Sequence, residues 1–326
     1  MRAVICRAYG GTEHLEIVER ALPEPGPGEI RVGLCAGTVS AGDWRIRSLS
    51  VPPGYGLMLR AAFGWTGPRQ PVLGTAFSGV VEAVGQDVTR FGPGDEVFGS
   101  TGMKMGAHAE AVVLPEGGAV VHKPHVLIHS QAAALPFGAT TALQFLRDRG
   151  RLKPRHRLCV VGASGAVGTA AVQIGRAMGA HVTAVCSAAN ADLVRDLGAR
   201  EVIAHDEGED PFAEENRFDV ILDTVGQAPL KRRMRALRRR GRLLLVYAGL
   251  GTGIASRFVG RGGRRARGGV ANESRADMEE IARLIEAGDL RAVIDSRYRL
   301  SQIAQAYDRV ATGRKRGAVV LLPDDI

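Results

Sequence analysis

The sequence is poor in cysteine. Its 326 residues hold four, Cys6, Cys35, Cys159 and Cys186, scattered without paired spacing. That pattern excludes a disulfide framework, and the gap between Cys35 and Cys159 excludes a four-cysteine metal lobe. Four reduced thiols acting as small hydrophobes are expected, Cys35, Cys159 and Cys186 in strand-like contexts. No apolar run approaches the ~20 residues of a membrane span. Met1–Cys6 is followed at once by charge and glycine, unlike a secretory signal. These absences point to a cytoplasmic protein with no membrane partner. Internal repeats and low-complexity tracts are also missing. Acidic residues are outnumbered, 34 against 43 basic, for a net charge of +9. Much of the excess lies in 231–242 and 257–267. No aromatic interleaves with the first run, as a single-strand binder would require. The runs are therefore read as a solvated helix face and a basic loop, with nucleic acid as the disfavoured partner.

What is present is a two-part rhythm. Hydrophobic residues make up 45% and charged residues 24%, and the length suffices for two domains with cores. Up to about residue 125, segments such as Met1–Tyr9, Ile30–Ala36, Gly79–Val84 and Ala109–Leu114 have β composition between Gly/Pro turns, which suggests a β-barrel or sandwich. Residues 50–71 read as an irregular excursion. Beyond, strand and helix alternate: strand 157–161, helix 166–178, strand 181–186, helix 190–197, strand 201–204, strand 218–223, helix 227–239, strand 242–247. Alternation implies a parallel, doubly wound sheet. After a Gly/Arg loop come an amphipathic helix at 275–287, a strand at 293–295, a helix at 301–312 and a strand at 317–322.

Between the strand at 157–161 and the helix at 166 lies Gly162-Ala163-Ser164-Gly165-Ala166-Val167-Gly168. A glycine-rich turn there makes a phosphate cradle: amides point at the anion, the helix dipole favours it, and glycine permits close approach. Ala163 stands where the first glycine of the dinucleotide fingerprint would be. An Asp or Glu would be expected about 20 residues further on to bind the ribose of NAD. The sequence has Val185-Cys186-Ser187-Ala188-Ala189-Asn190 instead, with no acid. Ser187 and Asn190 admit a 2′-phosphate, and Arg195 could add positive charge, so NADPH is favoured over NADH.

Several segments together, in order along nearly the whole chain, resemble one family. They include Pro27-Gly28-Glu29-Ile30, Val39-Ser40-Ala41-Gly42-Asp43-Trp44, Val72-Leu73-Gly74, Phe91-Gly92-Pro93-Gly94-Asp95, Gly106-Ala107-His108-Ala109-Glu110, the glycine loop, and Phe218-Asp219-Val220-Ile221-Leu222-Asp223-Thr224-Val225-Gly226. The likeness is to the medium-chain dehydrogenase/reductase superfamily, in its zinc-independent, quinone oxidoreductase-like branch. It implies a GroES-like β-barrel catalytic domain (1–124 and 262–326) split around a Rossmann domain (125–261). Zinc-dependent members carry a Cys where Ser40 stands and Gly-His-Glu where Gly74-Thr75-Ala76 stands. Ser, Thr and Ala do not replace those ligands, so no zinc is expected. His122, His125 and His129 are read as surface histidines, because Pro124 breaks any common helix face.

The resemblance implies hydride transfer to a quinone or α,β-unsaturated carbonyl. Thr141 resembles the family threonine beside the nicotinamide. Val225, Gly226, Ala248 and Gly249 follow the fourth and fifth strands, at the edge where dinucleotides lie. Ser40 is the expected donor near the substrate oxygen. Asp43 is either catalytic or a structural carboxylate binding backbone amides, and Tyr55 and Trp65 are either pocket walls or core aromatics. Homodimers are common in this branch, yet no seam is visible. The competing class is an NADPH-binding protein of the same fold whose basic surface binds nucleic acid.

Overall fold

The computed structural model describes residues 1–51, 55–247 and 262–324. The chain forms two compact units. One combines Met1–Val51, Tyr55–Phe137 and the chain from Asn272 onward; the other runs from Gly138 to Ala271. These boundaries lie about a dozen residues later than 124/125 and 261/262. Two contacts explain the shift. Helix α3 (His129–Ala133) packs on the strands of the first unit, and His129 Nδ1 lies 2.8 Å from Ser78 Oγ. Arg265–Gly268 forms a strand of the second unit's sheet.

In the first unit, β1 (Arg2–Cys6) and β2 (Leu15–Glu19) form an antiparallel pair. The main sheet comprises β3 (Glu29–Val39), β4 (Ala76–Val84), β5 (Glu96–Ser100), β6 (Ala111–Pro115), β7 (Ala119–His122), β14 (Ile294–Arg299) and β15 (Ala318–Leu322). Its order is β14-β15-β3-β4-β5-β7, with β6 paired to β3. This GroES-like sheet is mixed, and its hydrogen-bonded path does not close into a ring among the described residues. β3 is long enough to pair β4, β6 and β15 along its 11 residues. Alternation places Ile30, Val32 and Leu34 against Phe77, Val97 and Val120 in one core. A second core packs Tyr307, Ile303 and Val310 of α9 (Ile303–Ala311) on Val39, Val319 and Leu321.

The excursion at 50–71 is not wholly irregular. Tyr55–Phe63 is helix α2. Trp65 is 59% exposed, so it is no core aromatic. Another helix, α1 (Ala41–Ser48), begins at Ser40.

The second unit is a six-stranded parallel sheet in the order β10-β9-β8-β11-β12-β13. Its strands are β8 (Arg157–Val161), β9 (His181–Cys186), β10 (Glu201–Ala204), β11 (Phe218–Asp223), β12 (Leu237–Leu245) and β13 (Arg265–Gly268). Helices α4 (Pro136–Gln144), α5 (Ala166–Ala177), α6 (Ala191–Asp196) and α7 (Leu230–Ala236) accompany them. Helix α5 buries every residue from Val167 to Gly175, and Gly175 lets it approach β8: a Cβ there would stand 2.6 Å from Leu158. The doubly wound sheet is as expected, with two local corrections. The helix expected at 227–239 starts only after Pro229 and ends before Leu237, because Leu237 is fully buried and pairs with Phe218. The ladder then skips across Arg238–Gly241, with Arg240 at φ +64°, before Arg242 resumes it opposite Val220. Strand β13 has no strand-like composition and covers the open edge of β12.

Helix α8 (Arg275–Glu286) returns the chain to the first unit; Ser274 caps it by accepting from the Asp277 amide. The C-terminal elements are tied by Asp295. It takes a bidentate pair from Arg309 at 2.8 and 2.6 Å, the Arg316 amide at 2.7 Å and the Ser296 hydroxyl at 2.8 Å. Burial alone would raise its pKa, but these donors outweigh burial and bring it from 3.8 to about 2. The carboxylate therefore stabilises the fold above the unfolded pKa, and that contribution is lost as pH falls from about 4 through 2. After allowance for solvent screening it is worth about 1 kcal/mol. Acid titration of wild type against Asp295→Asn should show this: the variant is less stable at pH 7, and the gap closes by pH 2.

Candidate active site

In the parallel sheet the strand order reverses between β8 and β11. The carboxyl ends of these strands flank the crevice in which such sheets bind ligands. The loop after β8 contains the predicted cradle. Gly162 sits at φ +75°, and a Cβ there would come within 2.4 Å of Thr224 Oγ1 and 2.7 Å of Val225. A Cβ on Gly168 would come within 2.1 Å of the Gly162 carbonyl. These two glycines are demanded by the fold itself. Gly165 is different: its φ is −78°, and a Cβ would meet only the Gly162 carbonyl oxygen at 3.5 Å. A Cβ fits there, so its absence keeps open the space before the α5 N-terminus, where free amides favour an anion. No acid stands in the first turn of α5 to compete.

The loop after β11 closes the other side. Asp223 is 1% exposed, and its Oδ1 accepts the amides of Val225 and Gly226 at 2.9 and 2.8 Å. Oδ2 takes the buried Arg233 guanidinium at 2.5 Å. The Thr224 hydroxyl donates to Val161 O at 2.8 Å and locks this loop to the end of β8. Removing either charge of a buried pair typically costs about 3–5 kcal/mol.

The structure brings Ser164, Ser187 and Asn190 together. Asn190 Nδ2 donates to Ser164 Oγ at 3.2 Å and to Ser187 Oγ at 2.9 Å, while its buried Oδ1 has no partner. Asn190 precedes α6, but its side chain makes no capping bond there. Arg195 is exposed and paired to Asp192 at 3.0 Å, so its charge is balanced. Sequence reading missed Asp206. It follows β10, and its Oδ1 accepts the Ala188 amide at 2.8 Å, which puts a carboxylate beside the Ser187 turn from the neighbouring strand. Thr141 lies on α4 and is buried. Ala248 and Gly249 fall outside the described residues, and of Tyr55 only the backbone, opening α2, is described.

In the first unit, Ser40 and Asp43 form a capping box at the start of α1. Ser40 Oγ accepts the Asp43 amide at 3.1 Å, and Asp43 Oδ2 accepts the Ser40 amide at 2.7 Å. Asp43 is 1% exposed, and its Oδ1 has no partner. The box uses the Ser40 oxygen as acceptor and leaves its hydroxyl proton to donate.

A residue without a predicted role, His108, is fully buried beside them. Its Nε2–H donates to Thr38 O at 3.0 Å, which makes Nδ1 the acceptor facing Tyr307 Oη at 3.5 Å. Burial keeps the ring below the ordinary histidine range although the Asp43 charge pulls upward, so His108 is neutral. Burial also raises Tyr307 well above the usual phenol range. Arg47 lies over the Tyr307 ring at 4.7 Å and donates to Gly10 O at 2.7 Å. Gly74, at φ +88°, has no alternative: a Cβ would sit 2.3 Å from the His108 ring. The cue was the Gly106–Glu110 segment, but nothing in it signals where the imidazole goes.

The histidine cluster near 122–129 does not converge. His122 packs on Phe91 at 5.0 Å, while His129 is no free surface group: it bonds Ser78 and, at 3.1 Å, Glu96.

Known proteins can now be set beside this geometry. A family model described as an alcohol dehydrogenase GroES-like domain matches residues 26–125, and one described as zinc-binding dehydrogenase matches 197–321. Human mitochondrial NAD(P)H oxidoreductase RTN4IP1 is 34% identical over 98% of this chain and 89% of its own length. A quinone oxidoreductase of Pseudomonas aeruginosa is 32% identical over 97% of this chain and 98% of its own. Among solved structures, the quinone oxidoreductase from Coxiella burnetii superposes with a TM-score of 0.87 at 25% identity, covering 99% of both chains. The chain belongs to the medium-chain dehydrogenase/reductase family. Within it, the chain is a quinone oxidoreductase-like member.

The word zinc in one description does not carry over to these residues. Ser40, Thr75 and Ala76 offer no zinc-ligating side chain, Asp43 spends one carboxylate oxygen on the capping box, and His108 Nε2–H is spent on Thr38. Among the described residues no group of three or more His, Cys, Asp or Glu side chains could hold a metal. The dinucleotide cradle does fit its ligand, by the room left at Gly165. Gly165→Ala should cost only about 1 kcal/mol of stability, the loss of an N-cap glycine whose Cβ position meets just ordinary contact, yet lower pyridine-nucleotide affinity at least tenfold. Paired melting curves and fluorescence titrations check this.

Proposed function

We propose that the protein is a zinc-independent oxidoreductase that takes hydride from NADPH and delivers it to a quinone or an α,β-unsaturated carbonyl. The observation that carries this reading is the pair of loops at the β8/β11 strand switch, with an open cradle at Gly165. Gly162 through Gly168 would receive the pyrophosphate, and Val225 and Gly226, held by Asp223, would border it. Thr141, Ala248 and Gly249 complete the proposed cofactor set. When bound, the reduced nicotinamide would supply the hydride. The protein then has to position the ring and stabilise negative charge on the acceptor oxygen. Ser40 is proposed as the donor to that oxygen, and the buried carboxylate of Asp43 orients it through the capping box. The relatives named as quinone and NAD(P)H oxidoreductases support the acceptor class and the cofactor type.

The preference for NADPH rests on Ser187 and Asn190 and on the missing acid at the end of β9. Asp206 works against it, because its charge lies near the site of a 2′-phosphate. The arginines are read as surface rather than as a nucleic-acid site. Those of 231–238 largely meet acids: Arg232 pairs with Asp210, Arg235 with Glu215 and Arg238 with Asp219. Arg242 and Arg265 stand opposite each other in the β12/β13 ladder, and Arg267 follows. Burial and the like charges of Arg151, Arg267 and Arg265 lower the pKa of Arg242. Such an edge resists pairing with a second copy, so a homodimer would use another face. No helix among the described residues is long and apolar enough to cross a membrane, which suits the cytoplasmic setting we propose.

A panel of quinones, enones and aldehydes tests the reaction: NADPH should be oxidised with quinones or enones, and silence across the panel would remove the reading. Asp206→Asn tests the cofactor assignment. It should raise the ratio of NADPH to NADH affinity roughly threefold, the effect of one partly screened charge; an unchanged ratio would place the 2′-position elsewhere.

A further inference from the structure

Reduction of an enone or quinone consumes a hydride and a proton, and the reading above names no source for the proton. Glu273 lies just before the Ser274 cap of α8. Its side chain turns inward to the end of β5, where it hydrogen-bonds Ser100. Glu273 Oε2 overhangs Gly102, only 3.5 Å from where a Cβ on that glycine would be. Ser100 is 2% exposed, accepts the Gly102 amide at 3.1 Å, and pairs in the ladder with Ala76. The Thr101 amide donates to Thr75 O at 2.9 Å. Glu273 thus reaches the strand end that carries Thr75 and Ala76, the positions of the lost zinc ligand and its neighbouring acid. Asp43 is the charged group that Glu273 senses. A second observation marks this region as a place for a ligand donor: Asp43 Oδ1 is buried without a hydrogen-bond partner.

We infer that Glu273 is the proton donor of the reaction, delivering its carboxyl proton to the acceptor oxygen beside Ser40. The inference rests on the hydride-transfer reading. In the step, a hydride from the reduced nicotinamide forms the new C–H bond. The electron pair displaced through the conjugated system collects on the acceptor oxygen. The Glu273 O–H bond breaks as the new O–H bond forms, and the carboxylate left behind recovers a proton from water. Burial is the largest influence and lifts the carboxyl above the ordinary glutamate range; the Ser100 hydroxyl pulls it back, the Asp43 charge lifts it again, and the net shift is upward. A donor of this kind is lost as pH rises through its pKa, so the rate should fall on the alkaline side.

The test uses the full chain. With glutamate carboxyl carbons labelled by 13C and no nucleotide present, one resonance should titrate above the others in wild type and be missing in Glu273→Gln. With NADPH and a quinone, Glu273→Gln should lose about 100-fold in kcat and lose the alkaline fall, while NADPH affinity and Tm match wild type. Ser100→Ala should move the fall to higher pH, because the hydrogen bond favouring the carboxylate is gone. If Glu273→Gln keeps its rate and its alkaline limb, or if no glutamate titrates high, the proposal is overturned and the hydride-transfer reading stands. If wild type reduces no acceptor, that reading falls and the proposal falls with it.

Discussion

Where the strand order reverses between β8 and β11, two loops leave the sheet in opposite directions, and nothing in a parallel sheet holds them together. The structure meets this constraint with backbone contact. The Thr224 hydroxyl and amide both donate to Val161 O, at 2.8 and 3.2 Å, and the missing side chain at Gly162 lets Thr224 and Val225 lie against the turn. Asp223 then sets the next two amides. A buried carboxylate would be costly alone, and Arg233 from α7 offsets that cost. The form of the crevice therefore depends on one ion pair between β11 and the helix that follows it. The cradle can leave Gly165 free of internal packing because Gly162 and Gly168 carry the steric demands.

The first unit solves a related problem with acids. A capping box normally sits at a solvated helix end, where spare carboxylate oxygens meet water. Here the box is buried. Asp43 keeps one oxygen on the Ser40 amide and has no partner for the other. Its field reaches His108, Tyr307 and Glu273, and lifts the pKa of each against or along with burial. His108 nevertheless stays neutral because burial dominates, and its tautomer is set by Thr38 O. One carboxylate thus sits beside a neutral imidazole and a neutral phenol, and it shifts the Glu273 carboxyl upward. Low-dielectric surroundings make that distribution more favourable than ionising any two neighbours together.

What was legible in the sequence was what is local. Strands 157–161, 181–186, 201–204 and 218–223 have the expected bounds, because continuous apolar runs between turn residues need no distant partner to declare them. The helix/strand boundary at 236–237 was not legible. A strongly basic, helix-favouring run continues past it, and only the pairing of Leu237 with Phe218 ends the helix. Strand β13 had no local signal at all. The spacing Ser40-x-x-Asp43 is itself a capping signature; the reading of Asp43 as a structural carboxylate on backbone amides matches the capping box, but the helix start it marks was not drawn from it. His108, Asp206 and Glu273 acquire their surroundings from segments 30 to 200 residues away or from the adjacent strand, as with Tyr307 Oη facing His108 across 199 residues. No pattern within a window could expose them.

The net charge of +9 illustrates the same division between global and local. It suggests a protein that would welcome the extra phosphate of NADPH. At physiological salt, however, exposed charges further away than about 8 Å are largely screened. The arginines on β12 and β13 lie at the far end of the sheet order from β9 and β10, where Ser187 and Asp206 meet. The nearest predicted cation, Arg195, is balanced by Asp192. The field at the Ser187 turn is therefore set by Asp206 and by uncharged hydroxyl and amide groups. On the proposed NADPH reading, a 2′-phosphate there would be held by hydrogen bonds donated by Ser187 and its neighbours, and bulk basicity would contribute little.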